Sequence, residues 1–496
     1  MTTQVTYGNI RKPTRPGLWG MSTVQTGVVV LSMFVLIFLA ATGNMGLILA
    51  WVSLVVLFSV PLLIPTRDGR NVYQRTHARW VFDRSRRRAR NIYKAGPTGH
   101  VADGKCRLPG LLAASELTEH RDAYDQPFGL LGVPATKHYS VVLEANATGN
   151  ELVDLATVDQ QVAHWGAWLA ALGNETGIAG ASVTVETAPD SGLRLRRNVE
   201  DNVADEAPEF GLAVLSEIVD SYPAGAAQIQ TRITLTFSGA ASEGIKARGT
   251  AEMATEIGNR LPMLLGSLRA TGAGSTPRAC SAQDIVDATR VAYDPSVAMR
   301  VEQARAEGGT GLTWDEAGPV YAQAEYDYYR HDRAFSKTWQ MAAPPRGVFY
   351  ATSLERLLQP HRDIARKRVT VLYRPEDPIH AAAAVEQDIN TAHFNASQKR
   401  RASARSSADL AAAKKQAQEE ALGAGLVRFG LVVTATVTSR DQLPLAAKTV
   451  RALSAPARLR MREALANQDV AFASALPLGL VLPHHMFLPP SLRDAM

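Results

Sequence analysis

The stretch of this 496-residue chain closest to a catalytic signature is GHVADGKC, Gly99–Cys106. Its spacing is that of a phosphate-binding loop, in which backbone N–H groups and a lysine cradle phosphates and a following hydroxyl reaches Mg²⁺. That chemistry needs a buried strand running into the loop and a helix running out of it. NIYKAGPT in front is no buried strand pattern, and RLPG behind gives no clear continuation into a helix. Cys106 stands where the hydroxyl belongs. We read the match as coincidence. His484 and His485 are adjacent, which points their rings apart instead of at one ion. His164, on a mostly apolar helical segment, reads as a core histidine. Cys106 and Cys280 are too few for a disulfide framework or a thiolate zinc cage. The chain has no G-x-S-x-G, no H-E-x-x-H and no calcium loop. No catalytic residue, cofactor or metal is therefore expected, and the chain reads as non-enzymatic.

The elements that would position any site begin with two apolar runs, Thr26–Ala41 and Met45–Ile64, free of charge and separated by Thr42, Gly43 and Asn44. A helix of about 20 residues crosses a hydrocarbon core of about 30 Å. The runs therefore predict a transmembrane helical hairpin over 21–65. A cleaved signal peptide or a buried core hairpin accounts less well for the basic flank that follows. Arg67, Arg70, Arg84, Arg86, Arg87, Arg88 and Arg90 lie in a segment, 67–94, carrying ten cations and two acids. Positive flanks stay inside, which predicts a multi-pass protein of the plasma (inner) membrane, with both termini and the large domain cytoplasmic.

The net charge is +6, but residues 1–66 carry +3 and 67–94 carry +8, so the remaining body is mildly acidic. Nucleic acid is thus not expected as a direct partner. Anionic lipid headgroups suit the arginine cluster better.

Periodicity organises the rest. Strands are expected at His138–Ala145, Ala181–Thr187, Gln228–Phe237, Val348–Leu354, Arg368–Pro375 and Phe429–Ser439. Helices are expected at Gln160–Leu172, Phe210–Asp220, Ala251–Leu268 and Gln442–Leu453, and a helical tract interrupted by an Arg/Ser stretch from Pro378 to about Ala421. The Tyr-rich run Tyr321–Trp339 reads as helical; its aromatics and Arg330, Arg333 and Lys337 could stack nucleobases, but packing is the simpler use. The expected fold class is α+β: the N-terminal two-helix transmembrane hairpin, then a cytoplasmic domain of two β-α-β, ferredoxin-like halves with a helical insertion. The boundaries are a tail at 1–20, the hairpin at 21–65, a basic juxtamembrane segment at 66–110, a first half at 111–270, the insertion at 271–345 and a second half at 346–496.

The tail and hairpin, from YGNIRKPTRPGLWGMSTVQTG, resemble PrgI-like membrane proteins of conjugative type IV secretion systems, including those of actinobacterial loci. Three later passages are similar to the N-terminal, non-ATPase half of CagE/TrbE/VirB-family conjugative ATPases. They are His138–Thr187, HDRAFSKTWQMAAPPRGVFYATSLERLLQP (His331–Pro360) and QDVAFASALPLG (Gln468–Gly479). The chain stops at Met496, where that family's nucleotide-binding half would begin. The resemblance implies a membrane-anchored scaffold that docks a separate secretion ATPase within a multi-subunit complex, with no hydrolysis of its own. A type VII secretion core component and a membrane-tethered enzyme without a linear motif are the alternatives.

Overall fold

The computed structural model describes residues 23–63 and 72–486, apart from 98, 100, 147–152, 191, 205, 222–226, 242–245, 275, 346–349, 398–403, 422 and 424. It opens with α1 (Thr23–Ala41) and α2 (Met45–Leu63), followed by α3 (Val72–Arg87), β1 (Ile92–Lys94), β2 (Glu116–Arg121), β3 (Pro127–Val133) and β4 (His138–Ala145). Next come α4 (Leu155–Asn174), β5 (Ile178–Pro189), α5 (Leu193–Asn202), α6 (Glu209–Ser221), β6 (Ala227–Ser238) and α7 (Thr250–Leu268). The middle of the chain holds β7 (Arg278–Ala279), α8 (Ala282–Tyr293), α9 (Ala298–Ala306), β8 (Tyr321–Ala324), β9 (Tyr329–His331) and β10 (Ala334–Ala343). The last part comprises α10 (Glu355–Leu358), β11 (Arg366–Pro375), α11 (Pro378–Ser397), α12 (Ala404–Ala421), β12 (Val427–Val437), α13 (Leu443–Ser454), β13 (Arg460–Glu463) and α14 (Gln468–Ser474).

The strands join one 13-stranded sheet in the order β1-β8-β9-β10-β12-β11-β5-β6-β4-β3-β2, with β13 on β10 and β7 on β4. Every pairing is antiparallel. This corrects the expected fold of two ferredoxin-like halves separated by a helical insertion. Residues 271–345 are no such insertion, because Tyr321–Trp339 supplies β8, β9 and part of β10 to the shared sheet. The run alternates, with Tyr329 and His331 buried and Arg330 exposed between them. That two-residue period, together with aromatic strand preference, decides for strand over helix. Of the strand expected at Val348–Leu354, residues 348 and 349 lie outside the described part, and Ala351–Leu354 is a 3₁₀ turn.

The sheet repeats itself about its centre. In the first half β4, α4, β5, the pair α5–α6, β6 and α7 follow in order; in the second, β10, α10, β11, the pair α11–α12, β12 and α13 do the same. The neighbours run β4-β6-β5 and β10-β12-β11, and β5 meets β11 at the join. Matching Thr184 to its partner Thr370 carries Arg232 onto Val432, because 184 pairs with 232 and 370 with 432. The same registers carry Ser140–Thr236 onto Ser336–Thr436. Both of those pairs are hydroxyl–hydroxyl hydrogen bonds, at 3.0 and 2.7 Å, and Thr184 and Thr370 bond at 3.1 Å on the axis itself.

Strand alternation gives the sheet two unlike faces. Val141, Leu143, Ile233, Leu235, Val369, Leu431, Val433 and Ala435 face α4, α7 and α13 and form the main core. Along α7, Met253, Ile257, Leu261, Leu264 and Leu268 recur at helical spacing and are all buried, each contributing about 1.5–3 kcal/mol by leaving water. Gly258 lets α7 approach the β2–β3 turn: a Cβ there would sit 3.1 Å from the Arg121 carbonyl. The opposite face carries Ser140, Thr184, Thr236, Ser336, Thr338, Thr370, Thr434 and Thr436, also buried. These eight hydroxyls are tied to one another or to the segment crossing them, as burial of polar groups requires, whereas Thr234 Oγ1 on the same face is buried without a hydrogen-bond partner.

The membrane expectation is corrected as well. Helices α1 and α2 form an antiparallel pair turned at Gly43, whose φ is +68°. Asn44 Oδ1 accepts from the Gly46 N–H at 3.1 Å, and the Trp51 indole donates to the Ser32 carbonyl at 3.2 Å. Among the described residues no helix is long and apolar enough to cross a membrane. A multi-pass transmembrane placement is therefore not supported.

Candidate docking surface

Helices α5 and α6 join β5 to β6. Of α6, EFGLAVLSEIVDS, only Val219 is buried. Phe210 is 82% exposed, and Leu212, Val214, Leu215 and Ile218 are exposed with it. An Arg196–Asp220 ion pair at 3.1 Å ties α5 to α6. A surface helix normally buries an apolar stripe; α6 turns its apolar residues outward. Contiguous exposed apolar surface of this kind marks an interaction site.

A second feature lies on the polar sheet face. From Gln468 onward the chain crosses the sheet as a strap. Gln468 Oε1 accepts from the Thr338 N–H at 2.9 Å. Thr370 Oγ1 donates to the Ala475 carbonyl at 2.8 Å, and Thr236 Oγ1 to the Gly479 carbonyl at 3.0 Å. His138 Nε2 and His484 Nδ1 lie 3.0 Å apart at its far end. Gly479 has φ +70°, and a Cβ there would stand 2.1 Å from Ser140 Oγ. Between strap and sheet a cleft of about 370 Å³ opens over Gly180, Ser182 and Leu372, with Arg374 and Arg428 at its edge. Arg374 and Arg428 both reach Glu376, at 3.4 and 2.6 Å. The cleft has room for a small, largely apolar ligand.

Under the strap lies a buried ion cluster. Glu186 pairs with Arg366 and, at 2.5 Å, with Arg368. Burial would raise its carboxyl, but Arg368, Arg366 and Arg232 bring it down to about 2. His331 Nε2 lies 2.7 Å from Ser336 Oγ, and burial lowers its imidazole to about 4. On the opposite face, burial brings Lys367 down to about 8.

The sequence-derived residues scatter. Arg84, Arg86, Arg87, Arg88 and Arg90 are all exposed. Arg84 stacks over Trp80 at 5.6 Å, while Phe82 of the same helix is buried edge-on to Tyr326, ring centroids 5.7 Å apart. Arg67 and Arg70 lie outside the described residues. Helix α3 ends at Arg87, and Tyr93 belongs to β1. Lys105 of the loop-like GHVADGKC pairs with Asp315 at 2.6 Å, and the loop forms a 3₁₀ turn at Ala102–Gly104. His164 is exposed, not in the core. Arg330 lies over Tyr321 and Phe335 at 5.1 and 5.9 Å, so those aromatic faces are already engaged within the chain.

Sequence reasoning placed a helix at α6 but missed its role. No sequence signal marked it, because apolar residues on a short helix read the same whether or not a neighbour covers them. Compared with protein-family models and with curated proteins, the sequence matches none. The secretion-system and membrane assignments therefore have no support beyond the sequence resemblance.

Proposed function

We propose that this chain is a non-catalytic scaffold and that α6 is the surface on which it docks a separate ATPase subunit. The outward apolar face of α6 carries the reading: Phe210, Leu215 and Ile218 have no use in the chain's own core. Apolar anchors of this type dominate the energetics of protein interfaces. The ATPase is the partner class implied by the resemblance to the non-ATPase half of conjugative ATPases. The doubled antiparallel sheet, closed by its strap, supports a rigid platform of that kind.

The experiment is capture of the full chain from its own cells with masses read for what accompanies it. An ATPase is expected with the parent chain and at least about tenfold less with a Phe210→Ser, Leu215→Ser, Ile218→Ser variant, at an unchanged melting temperature. ATP turnover by the purified chain, or undiminished capture by the variant, overturns the reading.

A further inference from the structure

A cavity of about 160 Å³ lies between β1, β8, β9 and α14, lined by Asn91, Tyr93, Tyr293, Tyr329 and Asp469, with Arg90 also contributing. Its polar groups are acceptors in excess. The Asn91 amide nitrogen donates to the Ala324 carbonyl at 2.9 Å, but its Oδ1 is buried with no hydrogen-bond partner. The Tyr93 hydroxyl donates to the Arg107 carbonyl. Burial raises the phenols of Tyr293 and Tyr329, and the Asp469 carboxylate adds to both, so these phenols stay neutral with Asp469 nearby. Asp469 is itself substantially buried; burial raises its carboxyl, opposed only by backbone N–H groups of Val470 and Asp469.

Arg90 lines the cavity without an ion-pair partner among the described residues, whereas two other neighbouring cations are committed. Arg107 pairs with Asp315 at 3.1 Å, and Arg290 with Asp332 at 2.7 Å and Asp294 at 3.3 Å. Among the described residues Asp469 has no ion-pair partner, and a buried carboxylate without one is costly. The walls are aromatic: Tyr293 and Tyr329 pack against Phe472 at centroid distances of 5.2 and 5.3 Å. A carboxylate, an orphaned amide oxygen and phenol rings around one small space are the elements that recognise an organic cation.

We propose that this cavity binds an alkylguanidinium or alkylammonium group of the size of an arginine or lysine side chain, with Asp469 as its counter-ion and Asn91 Oδ1 as a second acceptor. Two sources share that chemistry, a free amine and a basic side chain of a docked protein.

Calorimetric titration of the full chain tests it, with n-butylguanidinium and n-butylamine as cations and n-butanol as the neutral control. Both cations are expected to bind at least about tenfold more tightly than the alcohol. Asp469→Asn should abolish that preference. Arg90→Ala, which removes a positive charge from the lining, should tighten the cations by a few-fold. A blocked tripeptide with central arginine separates the sources: binding as tight as butylguanidinium assigns a partner's side chain, and weaker binding a free amine. Equal affinity for butylamine, butylguanidinium and butanol, or an unchanged cation preference in Asp469→Asn, overturns the proposal.

Discussion

The pairs α5–α6 and α11–α12 occupy the same slot in the two halves of the sheet, each bridging two strands that share a neighbour order. Their surfaces are opposite. In α11–α12, Ala381, Val385, Ala392 and Ala413 are buried and the two helices pack on each other, leaving Phe394 as the exposed large apolar side chain of the pair among the described residues. In α5–α6 the apolar residues of α6 point outward and only Val219 is buried. One topology thus carries an internally closed hairpin and an open one. Duplication fixes where a hairpin emerges, while side-chain placement decides whether it needs a partner.

The halves differ again beneath the strap. Matched through Thr184 and Thr370, the position of Glu186 corresponds to Leu372. The largest expected effect is therefore on the ionic side. Glu186→Ala leaves buried arginines without their carboxylate and should cost about 3–5 kcal/mol in urea unfolding, more than Leu372→Ala at the half-exposed equivalent site. A smaller cost for Glu186→Ala than for Leu372→Ala would remove the asymmetry.

The pH dependence sharpens the same contrast. Glu186 is held at about 2 from an ordinary 4.5, so its pairing stabilises fully above about 4.5 and is lost as pH falls toward about 2. His331 titrates near 4 in the fold from an ordinary 6.5. The unfolded chain takes its proton first, so stability falls between pH 6.5 and about 4. Acid unfolding of the Glu186→Gln variant should keep the upper step and lose the lower one.

Next in size is the strap. Gly479→Ala forces a left-handed alanine against the Ser140 and Thr236 hydroxyls and should destabilise by about 2–4 kcal/mol, read as a lowered urea midpoint. Ala413→Leu, which overfills the closed α11–α12 interface, should cost about 1–3 kcal/mol. The smallest effect belongs to the open hairpin. Phe210→Ser should change stability by no more than about 0.5 kcal/mol, where a core phenylalanine truncation costs about 3–5 kcal/mol. A Phe210→Ser loss in the core range would show that α6 is packed, and would end the comparison.

Much of the chain was legible from local pattern. The run at His138–Ala145 is β4 as read, and Ala251–Leu268 is α7 to within a residue, because burial on one face writes a period of two or 3.6 into the sequence. Tyr321–Trp339 defeated that reading, since its aromatics fit a helix face or a strand equally until their neighbours are known. The exposed apolar residues of α6 defeated it differently: composition reports hydrophobicity and is silent on whether anything covers it.

By itself, the sequence determined the positions of most central strands and helices, the apolar hairpin near the N-terminus and the lack of any linear catalytic motif. These follow from short-range periodicity and residue chemistry. Only the tertiary structure decided that the strands form one duplicated sheet and that Gln468–His485 straps its polar face. It alone gathers Asn91, Tyr293, Tyr329 and Asp469 around one cavity. Those outcomes depend on contacts between residues far apart in the chain, whose pairing no local pattern encodes.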